Sequence, residues 1–234
     1  MAEARWVRFG RSELRYQVER SARRRTVSIM VTASGVTVKA PLAVDDDRLA
    51  ALVHSRGGWI VAKQVRFAAV LSNAPSPQAL VEGAAVRYLG RQHRVWRVPG
   101  LTAPRLNGRR LEVAPGSPEE VRGALEGWYR QQAERVLGQR VRRYARRLGV
   151  VPTAVLVRDQ RSRWGSCNAR GELRFNWRVV LAPMSLIDYV VAHELCHLEH
   201  MNHSPAFWAR LAQLLPDYEQ RREQLALDGP KFTV

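Results

Sequence analysis

Alternating apolar and polar residues in the first part of the chain predict short β-strands. Residues 26–32 alternate, the pair Ser34-Gly35 provides a turn, and residues 36–39 alternate again. This pattern is typical of a β-hairpin. The segment NAPSPQ at 73–78 predicts a loop, because Pro, Asn and Ser favour turns over regular structure.

After the hairpin the apolar residues change to helical spacing. Asp45 can cap a helix that contains Leu49 and Val53 one turn apart, and Gly57-Gly58 would interrupt it. Three later segments again have the character of strands, at 88–90, 92–98 and 110–113. The N-terminal region, residues 1–116, is therefore expected to be rich in β-structure.

A long helix is predicted from Ser117 onward. Pro118 occupies the first helical position and Glu120 lies three residues after Ser117, the spacing of a capping box. An apolar stripe then continues to Leu148, and Gly149 can end the helix. The opposite face carries many arginines, which fit a solvated helix face better than a nucleic-acid surface because amphipathicity already requires a charged stripe.

The remainder of the chain predicts two strands and three helices. The strands are at 154–158 and 172–176, and the helices at 185–201, 204–215 and 217–227. No internal repeat is evident. We therefore predict an α+β protein in which a second domain, residues 117–234, follows the β-rich N-terminal region.

Composition limits the class of protein but not its activity. Apolar residues make up 46% of the chain, which is too many for a mostly disordered protein. The net charge of +17 favours binding to nucleic acid or nucleotides, although the near absence of Lys is equally consistent with an Arg-rich codon bias. With two cysteines and neither a leader nor a membrane-spanning run, a cytoplasmic protein without a membrane partner is expected.

Four of the six histidines are clustered in the segment HELCHLEHMNH at 193–203. His193 and His197 are four residues apart, so on a helix both imidazoles lie on one face and can bind one metal ion. Glu194 follows the first histidine, as in the H-E-x-x-H pattern of zinc peptidases. In that pattern the carboxylate is the general base that takes a proton from zinc-bound water, which then attacks the peptide bond.

A catalytic zinc ion usually has three protein ligands, so one more is expected nearby. His200 would lie close to His193 if the helix continued. Asn202 and Ser204 argue for a corner instead, because Asn often ends a helix and Ser often caps the next one. We therefore predict Zn²⁺ bound by His193, His197 and His203.

Residues near the strand at 172–176 are predicted to contact substrate. Zinc peptidases lay an extended peptide along an edge strand, and the alternating sequence ELRFN fits such a strand. In the preceding SRWGSC segment, glycine would allow a tight bend, and tryptophan would either form a flat apolar surface or pack in the core. The predicted substrate-binding residues are Arg163, Trp164, Gly165, Arg174 and Asn176.

Three long segments, HELCHLEHMNHSPAFW, SRWGSC and FNWRVVLAP, resemble the YgjP-like metallopeptidase family of the zincin superfamily. The resemblance extends over nearly the whole chain and implies a zinc-dependent hydrolase with Glu194 as base and His203 as third ligand. The spacing is also similar to the metzincin pattern, from which the chain departs because His200 replaces a glycine.

The resemblance implies more than one kind of substrate. A peptide or protein substrate is favoured, so the chain is expected to be a metallopeptidase. Family members described as nucleoside triphosphate pyrophosphatases provide an alternative, in which arginines would hold the triphosphate. A second alternative comes from similar zincin proteases that act on protein-DNA crosslinks, for which the basic charge would serve DNA binding.

Overall fold

The computed structural model describes residues 3–10, 12–32, 35–72, 80–160 and 163–232. The predicted loop at 73–78, together with Ser34 of the predicted turn and Ser162 of the SRWGSC segment, lies outside these residues. The chain forms two compact units, Met1–Ala74 and Pro75–Val234. Both contain strands and helices, which confirms the α+β class. None of the described helices combines the length and apolar character needed to cross a membrane.

The first unit is a four-stranded sheet followed by two helices. Its elements are β1 Glu3–Phe9, β2 Ser12–Arg20, β3 Ser28–Thr32, β4 Gly35–Ala40, α1 Asp46–Ser55 and α2 Gly57–Ser72, and the strand order is β1-β2-β4-β3. The antiparallel pair β3–β4 confirms the predicted hairpin. The interruption between α1 and α2 lies where a side chain at Gly57 would overlap the ring of Phe9.

The second unit contains two further sheets and four α-helices within its described residues. Its elements are β5 Ala85–Tyr88, β6 Arg91–Arg97, β7 Arg105–Asn107, β8 Arg110–Val113, α3 Pro118–Leu148, β9 Ala154–Arg158, β10 Gly165–Cys167, β11 Glu172–Asn176, α4 Met184–Cys196, α5 Pro205–Leu214 and α6 Tyr218–Asp228. Short 3-10 helices occupy Trp177–Leu181 and Gly229–Lys231.

The long helix α3 forms as its sequence predicts. The Ser117 side chain accepts a hydrogen bond from the Glu120 backbone N–H, and the Glu120 carboxylate accepts one from the Ser117 backbone, so the capping box is complete. Gly149 ends the helix in the left-handed conformation with a φ of 75°. The apolar stripe of α3 is buried in the core of the second unit.

The compact units divide at residues 74 and 75, well before the predicted boundary at 116 and 117. Val95 and Leu111 of the β5–β8 sheet are completely buried in the same cluster as Leu125 and Tyr129 of α3. This sheet therefore packs with the helix that follows it, and the two share one core. Patterns along the chain locate elements but do not show which of them pack together.

The two four-stranded sheets are built alike, which corrects the expectation that the chain has no internal repeat. The second sheet has the order β5-β6-β8-β7, and in both sheets two antiparallel hairpins meet at a central parallel pair. The registers also agree: the row Tyr16, Val36 and Val31 corresponds to the row Val95, Leu111 and Leu106. The repeat lies in the pattern of strand pairing. Few aligned positions carry identical residues, so the sequence does not reveal it.

The third sheet corrects the expectation that residues 172–176 form an edge strand. The strand order is β10-β11-β9, so β11, which covers these residues, is the central strand. It pairs with β10 in the antiparallel and with β9 in the parallel direction. The strand β10 comes from the segment predicted to be a turn, and it is the edge strand that contacts α4.

Candidate metal centre

Three histidines from the end of α4 and the following corner converge on one point. His193 lies on α4, His197 is the residue that caps its C-terminus, and His203 precedes α5. One ring nitrogen from each lies within 4.8 Å of the others, and the Nε2 atoms of His193 and His203 are 3.0 Å apart. The structure thus brings together the three residues predicted as ligands.

The helix that carries the first histidine ends earlier than predicted. α4 ends at Cys196 instead of continuing to residue 201, and residues 197–199 form a turn. The backbone carbonyl of His200 is 3.0 Å from Nδ1 of His197. When Nδ1 donates its proton to this carbonyl, Nε2 of His197 keeps a lone pair for a metal ion. His200 therefore contributes its backbone to the site.

The corner that carries His203 is held by the start of α5. The Ser204 side chain caps this helix by accepting a hydrogen bond from the Phe207 backbone, as the Ser-Pro sequence predicts. The indole N–H of Trp208 donates to the His203 carbonyl at 3.1 Å, and the two rings stack with centroids 5.4 Å apart. His203 lies immediately before the capping residue Ser204, at the corner between α4 and α5. This position directs its imidazole back toward α4.

An ion pair closes the same corner from the other side. The Glu199 carboxylate accepts hydrogen bonds from the Arg210 guanidinium at 2.7 and 3.2 Å. Arg210 also donates to the carbonyl of Leu148, the last residue of α3. The turn after α4 is thereby fixed to both α3 and α5, which limits the positions that His203 can adopt.

Phe207 forms the floor of the cluster and was not recognised from the sequence. Its side chain is completely buried, and its ring centroid lies 5.0, 4.7 and 4.8 Å from those of His193, His197 and His203. The signal available in the sequence is its place four residues after His203, on the inner face of a capped helix. An apolar floor excludes water and holds the imidazoles rigidly.

The pKa values of two of the three histidines, His193 and His203, are lowered, which favours the neutral form that binds metal ions. Burial lowers the pKa of His193 to about 3, with further contributions from the neighbouring His197 and His203. Burial also lowers the pKa of His203. Nδ1 of His193 is buried and has no hydrogen-bond partner among the described residues. Three imidazoles facing one point fit a first-row transition metal ion.

Glu194 lies beside the histidine cluster in a dry environment. Its residue surface is only 6% exposed, and burial raises the pKa of its carboxyl to about 8 against the opposing effect of the Arg163 charge. A Cβ built at Gly165 would lie 2.6 Å from Cγ and 2.7 Å from Oε1 of Glu194. The strand β10 therefore runs directly against this carboxyl group, and it can do so because Gly165 has no side chain.

The other residues predicted to contact substrate lie in different environments. Gly165 belongs to the strand β10. The expectation that this glycine allows a tight bend is therefore wrong. Trp164 packs against the core, with its ring 5.8 Å from that of Phe232, as its packing interpretation predicts. Arg163 is exposed, and its charge acts on Glu194.

The two predicted residues of β11 are two positions apart, so they lie on the same face of the sheet, but they differ in exposure. Arg174 is exposed and pairs with Glu172 at 3.1 Å. Asn176 is buried; it donates to the Gln160 carbonyl at 2.6 Å and accepts from the Arg178 backbone at 3.0 Å. The amide of Asn176 is thus used to hold the chain at the start of the 3-10 helix.

Comparisons with known proteins give similar solved structures and a matching protein family. The solved structures similar to this chain include two archaeal metallopeptidase zymogens. Abylysin of Pyrococcus abyssi is 18% identical over 38% of this chain and 90% of its own, with a TM-score of 0.36. Jannalysin of Methanocaldococcus jannaschii is 20% identical over 38% of this chain and 94% of its own, with a TM-score of 0.33. No curated protein matches this chain. The family described as YgjP-like, metallopeptidase domain, matches residues 25–227, so the chain belongs to the YgjP-like metallopeptidase family.

Proposed function

We propose that the protein is a zinc-dependent metallopeptidase in which His193, His197 and His203 hold Zn²⁺ and Glu194 is the general base. The observation that carries the proposal is the 3.0 Å approach of two imidazole nitrogens beside a buried carboxyl group. Three nitrogen ligands are the set that catalytic zinc uses when a fourth position stays open for water or substrate. Zinc is favoured because imidazole is among its preferred ligands.

Zinc in this position would supply Lewis acidity, which polarises a carbonyl group and makes water easier to deprotonate. Glu194 would accept the proton of the attacking water on a carboxylate oxygen and later deliver it to the nitrogen of the leaving amine. The dry surroundings of this carboxyl suit the task, because a raised pKa brings a general base closer to neutral pH.

A peptide is the substrate that fits the surroundings best. The strand β10 pairs with β11 on one side only, among the residues that the structure describes. Its free edge can accept an extended peptide, whose scissile bond would then lie near Glu194. The proposed arrangement is zincin-like: α4 carries His193 and Glu194, His197 caps its end, and β10 is the edge strand beside them. The proposal includes a peptide or protein substrate and a cytoplasmic location.

The experiment compares zinc-loaded wild-type protein with Glu194→Gln, using casein, nucleoside triphosphates and a protein-DNA crosslink as substrates. Wild-type protein is expected to cleave casein. Glu194→Gln should bind one equivalent of zinc and lose at least about a hundredfold in kcat, since general base catalysis contributes roughly that much. Pyrophosphate release without peptide cleavage would replace the proposal with the nucleotide alternative, and a fully active Glu194→Gln would remove Glu194 from the mechanism.

A further inference from the structure

The β5–β8 sheet buries one face and leaves the other open. Along β6, Val95 is completely buried, whereas Arg94 and Trp96 on either side of it are exposed. On β8, Leu111 is completely buried and the preceding Arg110 is exposed. The alternation places the exposed residues on the face away from α3.

The open face carries more positive than negative charge. Its one acidic residue, Glu112, is buried and bonded to Arg105 at 2.7 Å and to Asn107 at 2.8 Å. Arg94 and Arg110 form no salt bridge with any acid in the described part of the chain, although the charge of Arg110 acts on Glu112 over a longer distance. Arg94 instead donates to the backbone carbonyl of Gly83.

Arg94 and Arg110, neither of which forms a salt bridge in the described chain, are direct neighbours. Arg94 and Arg110 are partners in the register of the parallel strands β6 and β8, so their backbones are about 4.8 Å apart. Like charges in facing positions destabilise a sheet. An anion bound between the two side chains would reduce this repulsion.

An exposed aromatic ring lies beside the charged pair. Trp96 is 39% exposed, and the Arg110 guanidinium lies over its ring at 4.3 Å from the centroid. An indole and a guanidinium plane are the two groups on which proteins stack unpaired bases. The combination of a stacking surface and a phosphate-binding charge on an open sheet is typical of single-stranded nucleic-acid binding.

We propose that the open face of the β5–β8 sheet binds single-stranded nucleic acid, with a base stacked against Trp96 and Arg110 and the adjoining phosphate held by Arg94. An acidic peptide would satisfy the charge but would make no use of a flat exposed ring. The proposal concerns a surface formed by β6 and β8, and it does not depend on hydrolysis at the histidine cluster.

The first sheet carries arginines at corresponding positions and also an exposed tryptophan, Trp6, which aligns with Ala85 and not with Trp96. The shared register aligns Arg8 with Arg87 and Arg15 with Arg94. Trp6, which faces Arg15 across the strands, is 62% exposed. Arg15, however, is already paired with Glu13 at 2.9 Å. The β5–β8 sheet is therefore the stronger of the two candidate surfaces.

The test measures fluorescence anisotropy of labelled dT20 with the metal-free protein, residues 1–234. Arg94→Gln/Arg110→Gln is compared with the control Arg142→Gln/Arg146→Gln, which removes the same charge from exposed residues of α3 without a salt bridge in the described chain. The first pair is expected to weaken binding at least about tenfold and to lower the slope of log Kd against log salt by about 1.4. The control should change binding little.

A second variant tests the stacking surface. Trp96→Ala should weaken dT20 binding by about tenfold and leave the salt slope unchanged, because stacking adds no phosphate contact. Thermal unfolding of each variant checks that it is folded. Equal losses from both arginine pairs would reduce the interaction to net charge. Equal binding of poly-glutamate, or of a dT20·dA20 duplex, would also overturn the proposal.

Discussion

Gly165 on the edge strand β10 lies directly against the side chain of Glu194. A Cβ at this position would be 2.6 Å from Cγ and 2.9 Å from Cδ of the glutamate, closer than atoms approach without displacement. Gly165 is not among the glycines with positive φ, so the position requires glycine because of space and not because of backbone conformation. The strand therefore sets where the carboxyl group of Glu194 can be.

Gly165→Ala is expected to displace this carboxyl group without changing the three histidines that we propose as zinc ligands. Because the proton acceptor would move by a substantial part of an ångström, kcat on casein should fall at least about tenfold. Zinc stoichiometry should remain at one, as measured by metal analysis after dialysis. Ser166→Ala, the next residue of β10, is the matched control and should keep kcat; an unchanged kcat in Gly165→Ala would contradict the positioning role.

The two histidines at the corner should differ sharply in their effect on zinc binding. His203→Ala removes a ring nitrogen from the cluster, so zinc affinity should fall by more than the roughly hundredfold loss typical of changes to supporting residues. His200→Ala keeps the backbone carbonyl that orients His197 and should bind zinc nearly as tightly as wild type. Competition with a chromogenic chelator measures both. A larger loss in His200→Ala would mean that its ring is the third ligand.

The free energy of unfolding of the metal-free protein should depend on pH because the carboxyl group of Glu194 is buried. Burial raises the pKa of this carboxyl from 4.5 to about 8. The carboxyl therefore makes its full contribution to the free energy of unfolding below pH 4.5, and this contribution is lost as pH rises through 8. Glu194→Gln lacks this titration. Its free energy of unfolding, relative to wild type, should therefore increase by about 4 kcal/mol between pH 4 and pH 9.

Urea unfolding of both proteins, after metal removal, gives this difference at each pH. The lowered pKa of His193 acts in the opposite direction, with stability lost as pH falls from 6.5 toward 3, but it is present in both proteins and cancels in the comparison. A difference between the two proteins that stays constant over the whole pH range would show that Glu194 is not buried as described.

A buried ion pair joins the long helix α3 to the helix α4, which carries His193. The Arg140 guanidinium donates through two nitrogens to the two carboxylate oxygens of Asp188, and the side chains are only 18% and 11% exposed. Asp188→Asn leaves the arginine without its counter-charge and should lower the free energy of unfolding by about 3 kcal/mol. Arg174→Gln, which removes an exposed pair in the same unit, should cost less than about 1 kcal/mol. Urea unfolding measures both variants. A similar loss in the free energy of unfolding for Asp188→Asn and Arg174→Gln would show that burial does not strengthen the Arg140–Asp188 pair.

Elements defined by local patterns were predicted closely. The capping box at Ser117 and Gly149 gave the limits of α3, and the alternation at 154–158 and 172–176 gave β9 and β11 with their observed ends. The end of α4 was placed about one turn too late, because the turn after it is held by the Glu199–Arg210 pair. That contact joins distant parts of the chain and leaves no periodic signal.

The sequence by itself determined which groups could bind a metal ion, since the spacing of His193, Glu194 and His197 and the cap at Ser204 act within a few residues. Only the tertiary structure decided that Phe207 lies below the three imidazoles, that β10 and not β11 is the edge strand, and that two sheets repeat one register. Helix caps and periodicity depend on neighbouring residues, whereas strand order and the surroundings of a side chain depend on contacts between residues far apart in the chain.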